Sequence, residues 1–407
     1  MPTKQSWRNH YQLFNTVENQ ELMTKHHHLS EIEQALINNE LTLYYQPKVN
    51  MLTEEVFGAE ALIRWIHPTK GLIPPVEFLP TIDGTELEIK IGDWVANQAI
   101  KQMDSWLKQG IKLEVSINIS SLHLQSKNFI ERLGLSLAKY PNVNSEYLQL
   151  EILESSALGD LQMVSQIIKT CQQVLGVNIA LDDFGTGYSS LTHLRSLSAN
   201  TIKIDQSFIR DMLDDPNDFT IIDGIIGLAD SFGLKVIAEG VESTEHGLML
   251  LMTGCHYAQG YSISKPIPAS EFSLWLSHYQ ANKSRITCGN KKRTRKENKI
   301  KLFRLIANQW KKQFSENLLS APEKAKYWPL MRSSQCHCGY WIKREMQDEL
   351  FAKDNLLKLS KEHDICHDVA LALLKRYSAG EIELAREGLP QLLFAFDELD
   401  AALELCL

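Results

Sequence analysis

Val177-Asn178-Ile179-Ala180-Leu181-Asp182-Asp183 is a short apolar stretch that ends on two adjacent carboxylates. Its apolar part is typical of a buried strand, and a buried strand does not end on charged groups unless a cation meets them there. Four other apolar stretches also carry an acid or an amide at or near their ends; they contain Glu60, Asn118, Glu151 and Glu239. Helix-length segments separate the five stretches, which indicates several strand ends that converge on divalent metal ions.

Strand-like and helix-like patterns alternate from about Leu29 to Gln280. The predicted strands are Leu41–Gln46, Val56–Trp65, Leu113–Ile119, Leu148–Leu153, Val177–Asp182, Thr201–Ile204, Lys235–Glu239 and Tyr257–Gly260. Amphipathic segments such as Gly92–Lys108 lie between most of them. This alternation predicts a modified (β/α)8 barrel of the TIM type, which is an α/β fold. The turn Lys48–Glu54 has no room for a crossover helix, so we expect the first two strands to pair antiparallel.

Composition limits the class of protein. The chain has 407 residues, of which 44% are hydrophobic and 23% charged, as in a soluble globular protein of two domains. A formal net charge of −8 argues against binding to nucleic-acid polymers. Apolar runs are too short for a membrane span, and the polar start Met1–Glu21 lacks the apolar core of a secretory signal. Seven scattered cysteines suit a reducing, cytoplasmic location.

Four segments are predicted along the chain. Residues 1–27 form an N-terminal lead-in that ends in a solvated turn at His26–His28, and residues 28–280 form the barrel. Residues 281–300 form a basic linker; a membrane-surface or nucleic-acid patch is the alternative interpretation of its Lys291–Lys296 run. Residues 301–407 form an all-α four-helix bundle. Its predicted helices are Leu302–Asn317, Trp341–Phe351, Asn355–Ala379 and Glu381–Leu405.

The acids of the barrel predict a metal centre. Residues at the carboxyl ends of barrel strands share one mouth, and oxygen ligands of this kind suit Mg²⁺ or Mn²⁺ better than zinc. Adjacent carboxylates such as Asp182 and Asp183 repel each other unless they share or bridge cations. Two such ions about 4 Å apart would hold a phosphodiester and activate water for in-line attack. The alternative is a set of unrelated strand-end salt bridges, which suits one acid better than the whole set.

Two basic residues lie near these acids. Lys203 lies on the strand after Asp183; it is either a salt-bridge partner or a residue that orients or deprotonates the attacking water. Arg64 follows Glu60 by four residues and is either a surface arginine or a bidentate phosphate contact. The loop Asp183–Ser190 contains two glycines and lacks the ending of a P-loop, so a flexible loop beside the metals is the better interpretation.

Seven motifs carry a resemblance to a known family. They are Glu60-Ala61-Leu62-Ile63-Arg64-Trp65, Ser116-Ile117-Asn118-Ile119-Ser120, Glu151-Ile152-Leu153-Glu154-Ser155, Asp182-Asp183-Phe184-Gly185-Thr186-Gly187-Tyr188-Ser189, Lys203-Ile204-Asp205, Ala238-Glu239-Gly240-Val241-Glu242 and Gln259-Gly260-Tyr261. From about Leu29 to Gln280 the chain resembles an EAL-domain phosphodiesterase, the bacterial enzyme class that linearises cyclic di-GMP to pGpG.

This resemblance implies roles for individual residues. Two Mg²⁺ or Mn²⁺ ions would bind to Glu60, Asn118, Glu151, Asp182, Asp183 and Glu239. Lys203 would activate the water, while Arg64, Gln259 and Glu242 would make substrate or water contacts. Glu154 would steady the Asp183–Ser190 loop, which lies near a homodimer interface in the family. Two departures lie outside the metal set: Glu86 stands where Gly is common, and His256 stands where Asp is common.

The predicted bundle contains a second group of metal-binding residue types. His363 and His367 are four residues apart on one helix face, which surface histidines often are; Cys336-His337-Cys338-Gly339-Tyr340-Trp341 precedes them. Cys and His together suit Zn²⁺. The pattern resembles the chemoreceptor zinc-binding (CZB) family, with Cys336, His363 and His367 as ligands. Ala307 occupies the position of that family's first histidine, so Asn308, His337, Cys338 or water would have to replace it.

The residues therefore predict a cytoplasmic cyclic di-GMP phosphodiesterase with a C-terminal bundle that responds to zinc or to redox state. Bound Zn²⁺ would lower the pKa of Cys336. One alternative is a non-catalytic cyclic di-GMP receptor that signals to a protein partner. Another is a protein-interaction module in which the barrel is only a scaffold.

Overall fold

The computed structural model describes residues 16–154, 161–187, 191–290, 294–321, 325 and 328–407. Its strands are β1 (Leu41–Asn50), β2 (Glu55–His67), β3 (Gly71–Ile73), β4 (Glu114–Ile119), β5 (Leu148–Leu153), β6 (Asn178–Phe184), β7 (Thr201–Ile204), β8 (Lys235–Ala238), β9 (Tyr257–Gln259) and β10 (Ile267–Pro268). The strands all lie in the first part of the chain, and the C-terminal part is helical in its described residues, as predicted.

A closed barrel is the centre of the fold. The strands pair in the order β1-β9-β8-β7-β6-β5-β4-β2, and β2 closes the barrel by pairing with β1. The pairs from β2 through β9 are parallel, whereas β1 is antiparallel to β2 and β9. The modified (β/α)8 fold and its antiparallel first pair are therefore confirmed. Strands β3 and β10 extend the sheet beside β2 and β1.

Helices surround the barrel. They are α1 (Thr16–Ile37), α2 (Pro75–Ile82), α3 (Glu86–Lys108), α4 (Ser121–Leu124), α5 (Phe129–Ala138), α6 (Leu161–Thr170), α7 (Leu191–Leu197), α8 (Gln206–Asp211), α9 (Pro216–Phe232), α10 (Thr244–Thr253), α11 (Ala269–His278) and α12 (Lys283–Asn290). The predicted turn at His26–His28 is wrong, because these exposed histidines lie inside α1. Residues 1–15 of the predicted lead-in lie outside the described residues.

The C-terminal region is a helical bundle. Its helices are α13 (Arg295–Leu319), α14 (His337–Glu345), α15 (Lys353–Ser378), α16 (Ile382–Glu387) and α17 (Leu389–Glu404). Helix α13 begins inside the predicted linker, at a capping box formed by Thr294 and Glu297. Lys291, Lys292 and Arg293 of the basic run lie outside the described residues.

Several predicted helix boundaries in the bundle are wrong; α13 begins before the predicted Leu302, and α14 ends at Glu345 instead of Phe351. Helix α14 begins four residues before Trp341, because the sulfur of Cys336 accepts a hydrogen bond from the Gly339 amide and caps the helix. The last predicted helix is divided at Gly388, where α16 ends and α17 begins.

A buried ion pair attaches the segment before the bundle to the barrel. Glu54, in the β1–β2 turn, pairs with Arg285 of α12 at 2.7 Å, and both side chains are buried. Glu54 also accepts hydrogen bonds from the Tyr279 hydroxyl at 2.7 Å and the Asn282 amide at 3.0 Å. Its φ of 57° is left-handed, a conformation that costs energy for a residue with a side chain. These contacts offset that cost and hold α12 against the barrel.

The bundle itself packs on α9. The rings of Phe219 and His337 lie 6.0 Å apart, and Arg344 forms a 3.1 Å ion pair with Asp223.

Among the described helices, none is both long and apolar enough to cross a membrane.

Candidate functional site

Parallel register brings the predicted acids to the same end of the barrel. Glu60 of β2 is level with Ser116 of β4, and Asn118 of β4 is level with Glu151 of β5. One strand further, Leu153 is level with Asp182. Side chains two residues apart on a strand point to the same side, so these residues point into one mouth at the carboxyl ends of the strands.

Lys203 is the centre of this mouth. Its ammonium nitrogen lies 2.6 Å from carboxylate oxygens of both Glu151 and Glu239, 3.1 Å from Asp182 and 3.5 Å from Glu60. The lysine side chain is 1% exposed. Of the two interpretations of Lys203, the ion-pair role is therefore present in the structure, and it involves four acids rather than one.

The carboxylates respond differently to burial. Burial raises the pKa of Glu151 to about 8, with the charge of Glu60 adding to the effect. Burial likewise raises the pKa of Glu239 well above its usual range. For Glu60, the effect of burial is outweighed by Lys203 and by two hydrogen bonds, and its pKa is lowered.

Two amide side chains donate those hydrogen bonds. Gln259, at the end of β9, donates to Glu60 at 2.8 Å and to Gln46 at 2.9 Å. Asn118 donates to the other oxygen of Glu60 at 2.7 Å, which leaves its carbonyl oxygen available to a ligand. The residue after Gln259 must be glycine because its backbone packs against that of Val241. A Cβ on Gly260 would lie 2.2 Å from the backbone nitrogen of Val241.

A bulge brings both adjacent aspartates to the mouth. Successive residues of a regular strand point to opposite faces, so Asp182 and Asp183 would normally diverge. The pairing of β6 with β7 shifts register between Leu181 and Phe184, and Asp183 has a left-handed φ of 52°. Oxygens of Asp182, Asp183 and Glu239 consequently lie within 4.8 Å of one another.

Asp205 is a site residue that sequence reasoning did not assign. It follows β7 directly and caps α8, and its carboxyl group lies within hydrogen-bonding reach of the Asp183 carboxyl group. Burial raises the pKa of Asp183 to about 6, and the charges of Asp182 and Asp205 contribute. Its position two residues after Lys203 was the only available signal, because a contact with Asp183 depends on the bulge.

The remaining predicted residues surround this centre. Glu154 is buried and accepts a 3.1 Å hydrogen bond from the Gly185 amide, so it contacts the loop that it was predicted to steady. Residues 188–190 of that loop lie outside the described residues. Arg64 is half-buried, with its guanidinium 5.7 Å from the centre of the Tyr44 ring. Glu242 is exposed and lies near Arg210 and His246.

The residues of the mouth suit divalent cations. When all five carboxylates are ionised, as metal binding requires, they and the Lys203 ammonium carry four net negative charges, which two divalent ions would neutralise. One oxygen of Glu151 and the carbonyl oxygen of Gln259 are buried without a hydrogen-bond partner in the part of the chain that the structure describes. Such orphaned acceptors are costly unless a cation or water meets them.

The bundle contains a second centre, the Cys/His centre, formed by Cys336, His363 and His367. Their ligand atoms lie within 4.8 Å of one another and all three side chains are buried. The sulfur of Cys336 is 3.1 Å from Nε2 of His363. Nδ1 of His367 is 2.9 Å from the carbonyl oxygen of Met331, which makes Nδ1 the protonated nitrogen and leaves Nε2 free to bind a metal.

Comparison with known proteins identifies the barrel. The sequence profile of the EAL domain matches residues 29–266. The chain belongs to the EAL domain family. It is 38% identical over 249 residues to the cyclic di-GMP phosphodiesterase PA2567 of Pseudomonas aeruginosa, a match of 61% of this chain and 42% of that protein. It is 36% identical to the cyclic di-GMP phosphodiesterase PdeR of Escherichia coli, over 61% of this chain and 37% of that one.

A solved structure agrees with the EAL fold. The PaMucR phosphodiesterase in complex with c-di-GMP superposes with a TM-score of 0.58 at 37% identity, covering 60% of this chain and 99% of that one. The chain spans about two fifths of the length of the curated relatives above, and the matches lie in the EAL part.

Proposed function

We propose that the EAL domain hydrolyses cyclic di-GMP to linear pGpG with the help of two divalent ions. The observation that carries this proposal is the mouth itself, in which Lys203 meets four carboxylates beside the Asp182, Asp183 and Glu239 group. The relatives named as cyclic di-GMP phosphodiesterases support the choice of substrate. The chain keeps the acids that such chemistry needs, which favours an enzyme over a non-catalytic receptor.

The residues at the mouth would act as the ligands of the two divalent ions. Two Mg²⁺ or Mn²⁺ ions, bound by Glu60, Asn118, Glu151, Asp182, Asp183 and Glu239, would supply Lewis acidity and would acidify water beside the phosphodiester. The amide groups of Asn118 and Gln259 orient the Glu60 carboxylate through their hydrogen bonds. The Asp205 carboxyl group lies beside Asp183 and raises its pKa, which adds to the negative charge that the ions would offset.

Lys203 acts as an electrostatic and orienting group. As an ammonium ion among four carboxylates it donates hydrogen bonds, and with metal ions bound to those carboxylates it would be placed to donate one to the attacking water. Arg64, Gln259 and Glu242 contact the substrate or its water. Glu154 positions the Asp183–Ser190 loop through the Gly185 amide.

The decisive experiment is turnover by the purified full chain. Cyclic di-GMP with Mg²⁺ or Mn²⁺ should yield pGpG, measured by liquid chromatography, and Glu60→Gln should abolish the product. The matched control is Glu55→Gln, an exposed acid at the other end of β2. Wild-type protein that binds the nucleotide and leaves it intact would support the receptor alternative instead.

We also propose that the C-terminal bundle binds one Zn²⁺ through Cys336, His363 and His367 and regulates the EAL domain in response to zinc or oxidation. Three buried donors of the type that zinc prefers support this, as does the orientation of His367 by Met331. The contacts of His337 with Phe219 and of Arg344 with Asp223 join the bundle to α9, through which a change could reach the barrel.

Metal analysis tests the zinc proposal. Wild-type protein should contain about one zinc ion per chain, since the centre offers one set of donors. Cys336→Ser and His363→Ala should remove it, whereas Cys406→Ser, a buried cysteine outside the centre, should retain it. A wild-type protein without zinc after growth in zinc would contradict the proposal.

We also propose that the protein is a homodimer located in the cytoplasm. All seven cysteines are free and buried, which is compatible with a reducing compartment. Light scattering on the purified chain should give twice the monomer mass, and a monomer mass at micromolar concentration would contradict the dimer.

A further inference from the structure

A cavity lies at the junction of the bundle and the barrel. Its volume is about 560 Å³, within the range of small-molecule sites. We name it the junction cavity. One wall is the segment 211–218 between α8 and α9, and the other walls come from the bundle. Cys336, His363 and His367 all line it, so the Cys/His centre faces this space.

Described protein groups do not supply a fourth donor to the centre. Ala307 lines the same cavity as the three donors, but its methyl group cannot bind a metal. His337 and Cys338 also line the cavity, yet neither joins the set of ligand atoms within 4.8 Å of one another. Asn308 is exposed and lines a different depression with Lys311. Zinc with three protein ligands keeps a position for an outside ligand.

Building on the proposed zinc site, we propose that the fourth position is open to the junction cavity and binds a small nitrogen donor of the imidazole or amine type. A second observation points to a ligand. His337 lines the cavity, and its buried Nε2 atom has no hydrogen-bond partner among the described residues. A ligand in the cavity would provide this buried atom with a partner.

The walls favour a neutral or cationic ligand over an anion. Trp310, Trp328 and Phe396 present aromatic surfaces, which attract heterocycles and cations. The barrel wall adds Asp211, Asp214, Asp215 and Asp218, whose charges repel anions.

A ligand in the junction cavity would contact segment 211–218, which is connected through α8 to the mouth of the barrel. The acidic wall begins at Asp211, the last residue of α8, and α8 begins after the Asp205 cap, whose carboxyl group lies beside that of Asp183. A ligand that moves this wall therefore acts on an element that positions a proposed catalytic metal ligand.

The test uses the full chain loaded with Co²⁺ in place of zinc and with excess Mg²⁺ for the barrel. A thiolate-to-cobalt charge-transfer band reports the Cys/His centre alone, because the barrel offers only oxygen ligands. Imidazole should shift the cobalt bands in a saturable way, while azide at the same concentration should shift them at least about tenfold more weakly, a difference of about 1.4 kcal/mol.

Two variants localise the position. Ala307→His supplies a protein donor and should abolish the imidazole response, and Ala307→Leu fills the space without a donor and should weaken it by about tenfold or more. Circular dichroism checks that each variant is folded. If a variant is unfolded, the imidazole titration of the Co²⁺-loaded wild-type chain alone decides the proposal.

The outcomes separate the two proposals. If Co²⁺ shows no thiolate band, the zinc site is wrong and the open position is overturned with it. If the band forms but imidazole has no effect, the zinc site holds and the open position is overturned. If folded Ala307→His and Ala307→Leu respond like wild type, the ligand does not bind beside Ala307, which also overturns the inference.

Discussion

The mouth of the barrel and the Cys/His centre of the bundle are two proposed metal sites of opposite construction. The barrel collects oxygen ligands from strands far apart in sequence around the buried ammonium of Lys203. The bundle uses two histidines one helical turn apart and one cysteine at the start of α14. Without a metal, all three of these side chains can be uncharged. An excess of buried charge demands cations, whereas neutral thiol and imidazole groups can also remain buried without a metal. We therefore expect the stability of the barrel to depend on divalent ions more strongly than that of the bundle depends on zinc.

The largest expected effect is that of Lys203→Met. Activity should fall by about 10³-fold, because the variant loses the ammonium group that positions the carboxylates and the attacking water. Four carboxylates would also lose their internal cation, so Mg²⁺ should raise the thermal midpoint more in the variant than in wild type. Calorimetry with Mg²⁺ and with chelator measures this. If Mg²⁺ stabilised wild type and Lys203→Met equally, the idea that the barrel needs cations to offset its buried charge would be wrong.

Arg285→Met should have the next largest effect, on stability. The change leaves the Glu54 carboxylate buried without its charged partner and should cost about 3–5 kcal/mol of unfolding free energy. Urea unfolding measures it. Lys283→Met, at an exposed position of the same helix, is the matched control and should change stability by less than about 0.5 kcal/mol. A similar small loss in both variants would mean that the ion pair does not hold α12 to the barrel.

Glu154→Ala should lower kcat by about ten- to a hundredfold with little change in KM, because the loop after Asp183 loses its anchor at the Gly185 amide. Glu154→Gln keeps an acceptor oxygen and should recover part of the loss. Steady-state kinetics on both variants separates positioning from substrate binding. An equal rise of KM in both, with kcat unchanged, would assign Glu154 to substrate binding.

The smallest effect is expected where the bundle meets α9 at the surface. Arg344 and Asp223 are each nearly half exposed, so Arg344→Ala should cost at most about 1 kcal/mol, and less at high salt. Lys343→Ala, at the neighbouring exposed position, serves as control. A larger, salt-independent loss would show that this contact joins the two regions more firmly than its exposure indicates.

Sequence reasoning succeeded where spacing alone decides the geometry. Each of the eight barrel strands had a recognisable pattern, and a parallel barrel brings strand ends together at one mouth, so Glu60, Asn118, Glu151 and Asp182 could be grouped in advance. His363 and His367 could be placed on one face from their separation alone. Helix ends were less predictable, because the cysteine cap of α14 and the break at Gly388 are local features with weak sequence signals.

The amino-acid sequence by itself determined the barrel, its acidic mouth and the residue types of both centres, because these follow from hydrophobic periodicity and from the chemistry of the side chains. Tertiary structure alone decided that Asp183 turns toward the mouth beside Asp182, since this needs a bulge and a left-handed φ. It also decided that Asp205 reaches Asp183 and that Ala307 faces a cavity beside Cys336 and His363. Such contacts join residues distant in the chain, and their geometry is set by packing rather than by any local pattern.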